Sequence, residues 1–152
     1  MAKKRKLHIA FSPPEFRAIG IFADQKDYRL CWLLNKQLKT DLRRLPDFVH
    51  HPAKQEAEES FSVFHYESEA LRARYFLLSN RGSQGILFPE PKNMDYLFLC
   101  RQSPAGSDIT KLVKSIREVP AVQAAYLLDK IPHRTAKGVL YDFEMYLNDA
   151  LK

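Results

Sequence analysis

The chain has two cysteines, one tryptophan and no apolar run approaching the roughly 20 residues needed to span a bilayer. The shortage of cysteine excludes a disulfide-stapled scaffold, and the lack of a long apolar run leaves no transmembrane helix to read. A G-x-S-x-G nucleophile elbow is missing, and Gly82-Ser83-Gln84-Gly85 is too short and wrongly flanked for a phosphate loop. The five histidines, His8, His50, His51, His65 and His133, have no Cys or acidic partner at a metal-ligand spacing. No catalytic residue, metal or cofactor is therefore expected. The opening Met-Ala-Lys-Lys-Arg-Lys carries the charge of an export signal. Pro13, Pro14, Glu15 and Arg17 interrupt the apolar core such a signal needs, so the expected location is the cytoplasm, without membrane contact.

What is present reads as a globular chain. Its 152 residues are 45% hydrophobic and 28% charged, enough for one core without staples. Of the net charge of +6, Lys3, Lys4, Arg5 and Lys6 supply four, leaving +2 for residues 7–152. Any RNA affinity is thus expected in the tail rather than in the nearly balanced body. Residues 1–15 read as a basic tail and lead-in, and 16–152 as a single α+β domain. Cys31 and Cys100 sit in apolar runs, the setting of buried free thiols.

Residues 7–11 and 16–23 are short apolar stretches separated by Ser12-Pro13-Pro14, the second reading as a buried strand. Asp24 can cap a helix to about Leu38 or Lys39. Tyr28, Cys31, Trp32, Asn35 and Leu38 recur there at helical spacing beside further leucines, so a well-buried helix is expected. Residues 40–59 hold Pro46, Pro52 and many charges and read as a surface connection. Ser60 to Tyr66 and Arg72 to Ser79 read as a hairpin, Gly85 to Phe88 as a short apolar run, and Met94 to Cys100 as a strand. Ile109, Leu112, Val113 and Ile116 mark a helix over 108–118 with Ser107 as its cap. Ala121 to Leu128 is a returning strand, and Tyr141 to Leu151 a short terminal helix. This order predicts an α+β fold: an antiparallel or mixed sheet with two main helices on one face, a ferredoxin-like or ACT-like variant with an extra hairpin.

Phe88-Pro89-Glu90, three spacers, then Met94-Asp95-Tyr96 resembles the motif of the IPExxxVDY family of Bacteroidetes proteins, with Phe for Ile and Met for Val. Lys26-Asp27-Tyr28-Arg29-Leu30 with Trp32, and Leu78-Ser79-Asn80-Arg81, support the resemblance over roughly residues 16–128. It implies no activity, cofactor or catalytic residue.

The candidate cluster is Asp27, Arg29, Arg81, Glu90, Asp95 and Tyr96. Glu90 and Asp95 form a carboxylate pair, though the structural alternative, Glu90 holding an edge through Arg81 or Arg29, is favoured. Arg29, Arg81 and Lys26 can meet a phosphate or carboxylate near the helix N-terminus. Strand aromatics such as Phe61, Phe64, Tyr75 and Phe98 are weighted toward core over base stacking, and a sheet face left bare would be covered by a second copy or another protein. Three functions follow as expectations: a non-enzymatic protein-interaction module, dimeric or docked on a protein partner; an RNA- or ribosome-associated accessory protein using Lys3, Lys4, Arg5 and Lys6; and an ACT-like small-metabolite sensor.

Overall fold

A computed structural model describes residues 16–50, 58–70, 72–82, 85–101, 106–128 and 133–151, with the side chains of 106–108 and 133–137 outside the described set. The expected apolar stretch at 7–11, the Lys3 to Lys6 tail and Pro52 fall outside those residues. The elements in chain order are β1 (Phe16–Ala23), α1 (Asp27–Leu38), β2 (Arg43–His50), β3 (Glu59–Ser68), β4 (Ala73–Ser79), β5 (Tyr96–Arg101), α2 (Gly106–Arg117), β6 (Val122–Leu128) and α3 (His133–Ala150).

The six strands form one sheet in the order β2-β3-β4-β5-β1-β6, and every pairing is antiparallel. Alternation along β5 shows why the sheet carries helices on both faces. Tyr96, Phe98 and Cys100 point into a cluster with Leu30, Cys31 and Leu34 of α1 and Ile109, Val113 and Ile116 of α2. Leu97 and Leu99 point the other way, into a cluster closed by Val139, Leu140, Phe143 and Leu147 of α3. Phe143 packs edge-on to Phe48 and Phe76 with ring centres 5.3 and 5.6 Å away. The Arg101–Glu144 ion pair and a hydrogen bond from the Tyr146 hydroxyl to the Pro46 carbonyl tie α3 to the sheet.

The fold departs from the expected one. The ferredoxin-like or ACT-like sheet with two main helices on one face does not describe six strands clad by three helices on both faces. Two segments account for the difference. Residues 43–50 pair with β3 as an edge strand, where the core claims only Phe48 in full, so Pro46 and the outward charges hide the alternation. The last helix starts at His133 rather than Tyr141, and its apolar stripe covers the face expected to be bare.

Smaller differences have local causes. Helix α1 begins at Asp27, with Lys26 in the N-cap position and no side-chain cap, rather than at Asp24; Lys39 ends it with φ 56°. Its buried stripe is Leu30, Cys31 and Leu34, which turns Tyr28 and Trp32 outward at 65% and 54% exposure, against the expectation of a well-buried helix. Helix α2 starts at Gly106, just before the expected cap Ser107. The 85–88 run makes an isolated bridge, Arg81 to Ile86, rather than a strand. The β3–β4 hairpin and β5 lie where the sequence places them.

The two sheet edges are guarded differently. Strand β2 carries Pro46, four charged or titratable side chains and a bulge between Leu45 and Phe48, features that deter pairing with another chain. Strand β6, Val-Gln-Ala-Ala-Tyr-Leu-Leu, has neither charge nor proline, and among the described residues pairs with β1 alone. Arg117 reaches over it: its Nε donates to the Ala125 carbonyl at 2.7 Å and its guanidinium lies 5.7 Å from the Tyr126 ring centre. Arg117→Ala is expected to leave the fold intact and increase self-association at high protein concentration in sedimentation velocity. An unchanged distribution would show that Arg117 does not protect this edge.

Candidate functional site

Between β4 and β5 the chain leaves the sheet at Asn80 and returns at Asp95. Asn80, 1% exposed, holds both ends of this excursion. Its Oδ1 accepts from the Phe88 N–H at 2.8 Å, and its Nδ2 donates to the Phe88 and Met94 carbonyls at 3.0 and 2.9 Å. The Asn80 N–H donates to the Asp95 carbonyl, and the Leu87 N–H to the Asn80 carbonyl. Phe88 and Met94 are thereby seated in the core beneath α3. Met94 also needs Gly20, where a Cβ would stand 2.8 Å from its sulfur.

Asp95 then joins three parts of the fold. Its N–H donates to the Ile21 carbonyl, its Oδ2 accepts from the Ala23 N–H at 2.9 Å, and its Oδ1 pairs with Arg81 Nε at 2.8 Å. The Tyr96 hydroxyl donates to the Gln25 carbonyl, and burial with nearby Asp27 pushes its pKa up. Arg81, Asp95, Tyr96 and Ser79 line a cleft of about 540 Å³ at this end of β1. Arg81, Tyr96 and Ser79 also border a second, more open basin of about 330 Å³ that includes Lys26, Asp27 and Arg44.

Of the six candidate residues, the structure brings Arg81, Asp95 and Tyr96 together and sets Asp27 in the adjoining basin. Asp27 accepts from the Tyr28 N–H and lies 3.6 Å from Arg44. Glu90 is exposed and lines neither cleft, so it forms no acid–base pair with Asp95. Nor does it brace Arg81, which belongs to Asp95. Arg29 turns away from the basin toward Trp32, so the expected Lys26–Arg29–Arg81 anion cluster does not assemble, and Arg44 stands where Arg29 was expected. The two arginines of the basin are neutralised in place, Arg44 by Asp47 and Arg81 by Asp95, which leaves Lys26 as its one cation without an ion pair among the described residues.

The thiols are held in their unreactive form. Burial, reinforced by Asp27, raises Cys31 to about 11, and burial raises Cys100 to about 12. Among the described residues no three His, Cys, Asp or Glu side chains come close enough to hold a metal ion. No described helix is long and apolar enough to cross a membrane.

A different region stands out by charge. On the sheet and its ends, Arg43, Arg44, Arg74, Arg81 and Arg101 each have a carboxylate partner, whereas Arg17 of β1 and Arg72 of the β3–β4 turn have none among the described residues. On the α1–α2 layer, Lys26, Arg29, Lys36, Lys39, Lys111 and Lys114 have no ion pair among the described residues. Asp27 faces Arg44, Glu118 accepts from Gln37, and the Asp108 side chain is outside the described set. In this layer Trp32 stands in water with two cations beside it, Arg29 5.7 Å and Lys36 5.2 Å from its ring centre. The sequence did contain the signal: Tyr28 and Trp32 are four apart and offset from the Leu30, Cys31, Leu34 stripe, with Arg29 and Lys36 at i−3 and i+4 of Trp32.

The chain matches no family model, no curated protein and no solved structure.

Two outcomes follow from this geometry. Asn80→Ala leaves three buried backbone groups without partners and is expected to cost about 3 kcal/mol in urea unfolding; a loss below about 1 kcal/mol would show that the excursion is held by something else. At pH 8 a thiol of pKa about 11 is ionised in roughly one molecule per thousand. Both cysteines are therefore expected to resist iodoacetamide in the folded protein and react on unfolding; fast alkylation of either native thiol would contradict its buried placement.

Proposed function

We propose that the protein is a non-enzymatic interaction module of the cytoplasm, and that its docking surface is the outer face of α1 with the flank of α2. The observation that carries this reading is the line of Tyr28 and Trp32, 65% and 54% exposed, flanked on one helical layer by Lys26, Arg29, Lys36 and Lys39, none of which has an ion pair among the described residues. The polar and thiol chemistry elsewhere is already used internally: Asp95 and Arg81 satisfy each other, and both thiols are buried. A surface that keeps Tyr28 and Trp32 in water has not spent them on its own core, and aromatic side chains with Arg neighbours are the groups that carry most binding energy at interfaces. The opposite sheet face offers little competing surface, because α3 covers its centre and leaves Tyr126 exposed at the β6 edge.

We also propose kinship with the IPExxxVDY family, on the ground that Phe88, Met94, Asp95 and Tyr96 act together as one structural joint. This likeness concerns architecture and carries no activity with it.

The test is site-specific photo-crosslinking in the native cells, with a benzophenone amino acid replacing Tyr28 on α1 or, as a control, the equally exposed Tyr141 on α3. Adducts from position 28 and none from position 141 are the expected result. Adducts from neither position, or equally from both, would refute α1 as the docking face.

A further inference from the structure

We infer that the outer face of α1 binds single-stranded nucleic acid, stacking bases on Trp32 and Tyr28 and meeting phosphates with Arg29, Lys36 and Lys39. This rests on the docking-face reading above and names its partner. Tyr28, Trp32, Lys36 and Lys39 follow at i, i+4, i+8 and i+11, a line about 16 Å long at the helical rise of 1.5 Å per residue. A few nucleotides fit along it.

Charge and ring exposure select this occupant together. The cations of the line have no ion pair among the described residues, so a polyanion gains their attraction without first breaking salt bridges. An acidic peptide would meet the cations but leave both rings unused. An anionic membrane would need a broad apolar face, whereas this face offers two aromatic side chains among charged neighbours. Rings interleaved with cations along one line are the arrangement that single-stranded nucleic acid uses, since each base has a stackable face and each step a phosphate. The body of the protein carries a net charge of only +2; of the described acids near this line, Asp27 faces Arg44, Asp41 pairs with Arg43, Glu118 accepts from Gln37 and Asp24 precedes the helix, and none of them forms an ion pair with Arg29, Lys36 or Lys39.

Trp32 is the only tryptophan, so its fluorescence reports on this face alone. The experiment titrates the full-length protein, and a variant lacking residues 2–6, with twelve-nucleotide oligouridylate and oligothymidylate, and with polyglutamate and anionic vesicles. The expected result is saturable quenching by an oligonucleotide in both proteins. Affinity should fall about tenfold between roughly 50 and 150 mM salt, as three phosphate contacts on a single strand require. Lys36→Glu, an exposed change that the fold tolerates, should weaken binding at least tenfold. A preference for either oligonucleotide identifies RNA or DNA as the natural ligand and supports the inference equally.

Quenching by polyglutamate or vesicles as strong as by oligonucleotide would overturn it. So would binding that vanishes with residues 2–6, which would place the contact in the tail. If no oligonucleotide binds but the position-28 crosslinker captures a protein, the partner is wrong and the docking face stands. If both fail, the face itself is refuted.

Discussion

The Asn80 side chain fastens the point at which the chain leaves the sheet and returns to it. An amide can make four hydrogen bonds; Asn80 makes three of them to the backbone of Phe88 and Met94, in a site from which water is excluded. The start of β5 is positioned by this fastening. Strand β5 lies between β4 and β1, and supplies side chains to both clusters, so its entry point sets the register of the sheet's centre. Asp95 extends the same joint to β1 through Ala23 and Ile21, and Arg81 closes it from the solvent side. An asparagine serves here because it supplies both a donor and an acceptor; an aspartate would lack the amide hydrogens that meet the two carbonyls.

This joint gives the Phe88 to Tyr96 motif a physical meaning. Its apolar positions are core anchors, its aspartate is a bridge, and its tyrosine closes the loop before α1 through Gln25. The proposed function is placed elsewhere, on groups the fold does not consume. Carboxylates pair five of the arginines on the sheet and its ends, while Arg29, Lys36 and Lys39 of the helix layer have no ion pair among the described residues. A nearly neutral body can therefore present a cationic, aromatic surface.

Much of the fold was legible wherever one pattern decided it. The β3–β4 hairpin, β5, the α2 periodicity and the free buried cysteines all rest on local alternation or spacing. The outline failed where burial depends on what lies across the sheet. Strand β2 shows one fully buried residue, Phe48, and its proline and charges imitate a loop. The first part of α3 precedes its apolar stripe, so the sequence showed only the later turns. Trp32 misled because aromatic residues at helical spacing usually mark a core, while the leucines beside it already filled that role. Of the candidate cluster, Arg81, Asp95 and Tyr96 meet across 14 or 15 residues of chain, whereas Arg29 and Glu90 are exposed. Asn80 went unrecognised, since a lone asparagine at a strand end reads as a turn.

The most direct test of the joint is native-state hydrogen exchange at the amides it buries, those of Ala23, Leu87, Phe88 and Asp95. If Asn80 and Asp95 lock the excursion to the sheet, these amides exchange only through global unfolding, with the same free energy and the same denaturant dependence as the amides of Phe98 and Leu99 in β5. Exchange of Phe88 and Leu87 through a local opening insensitive to denaturant, while β5 stays protected, would show that the loop merely rests on the sheet and that the motif is not its fastening.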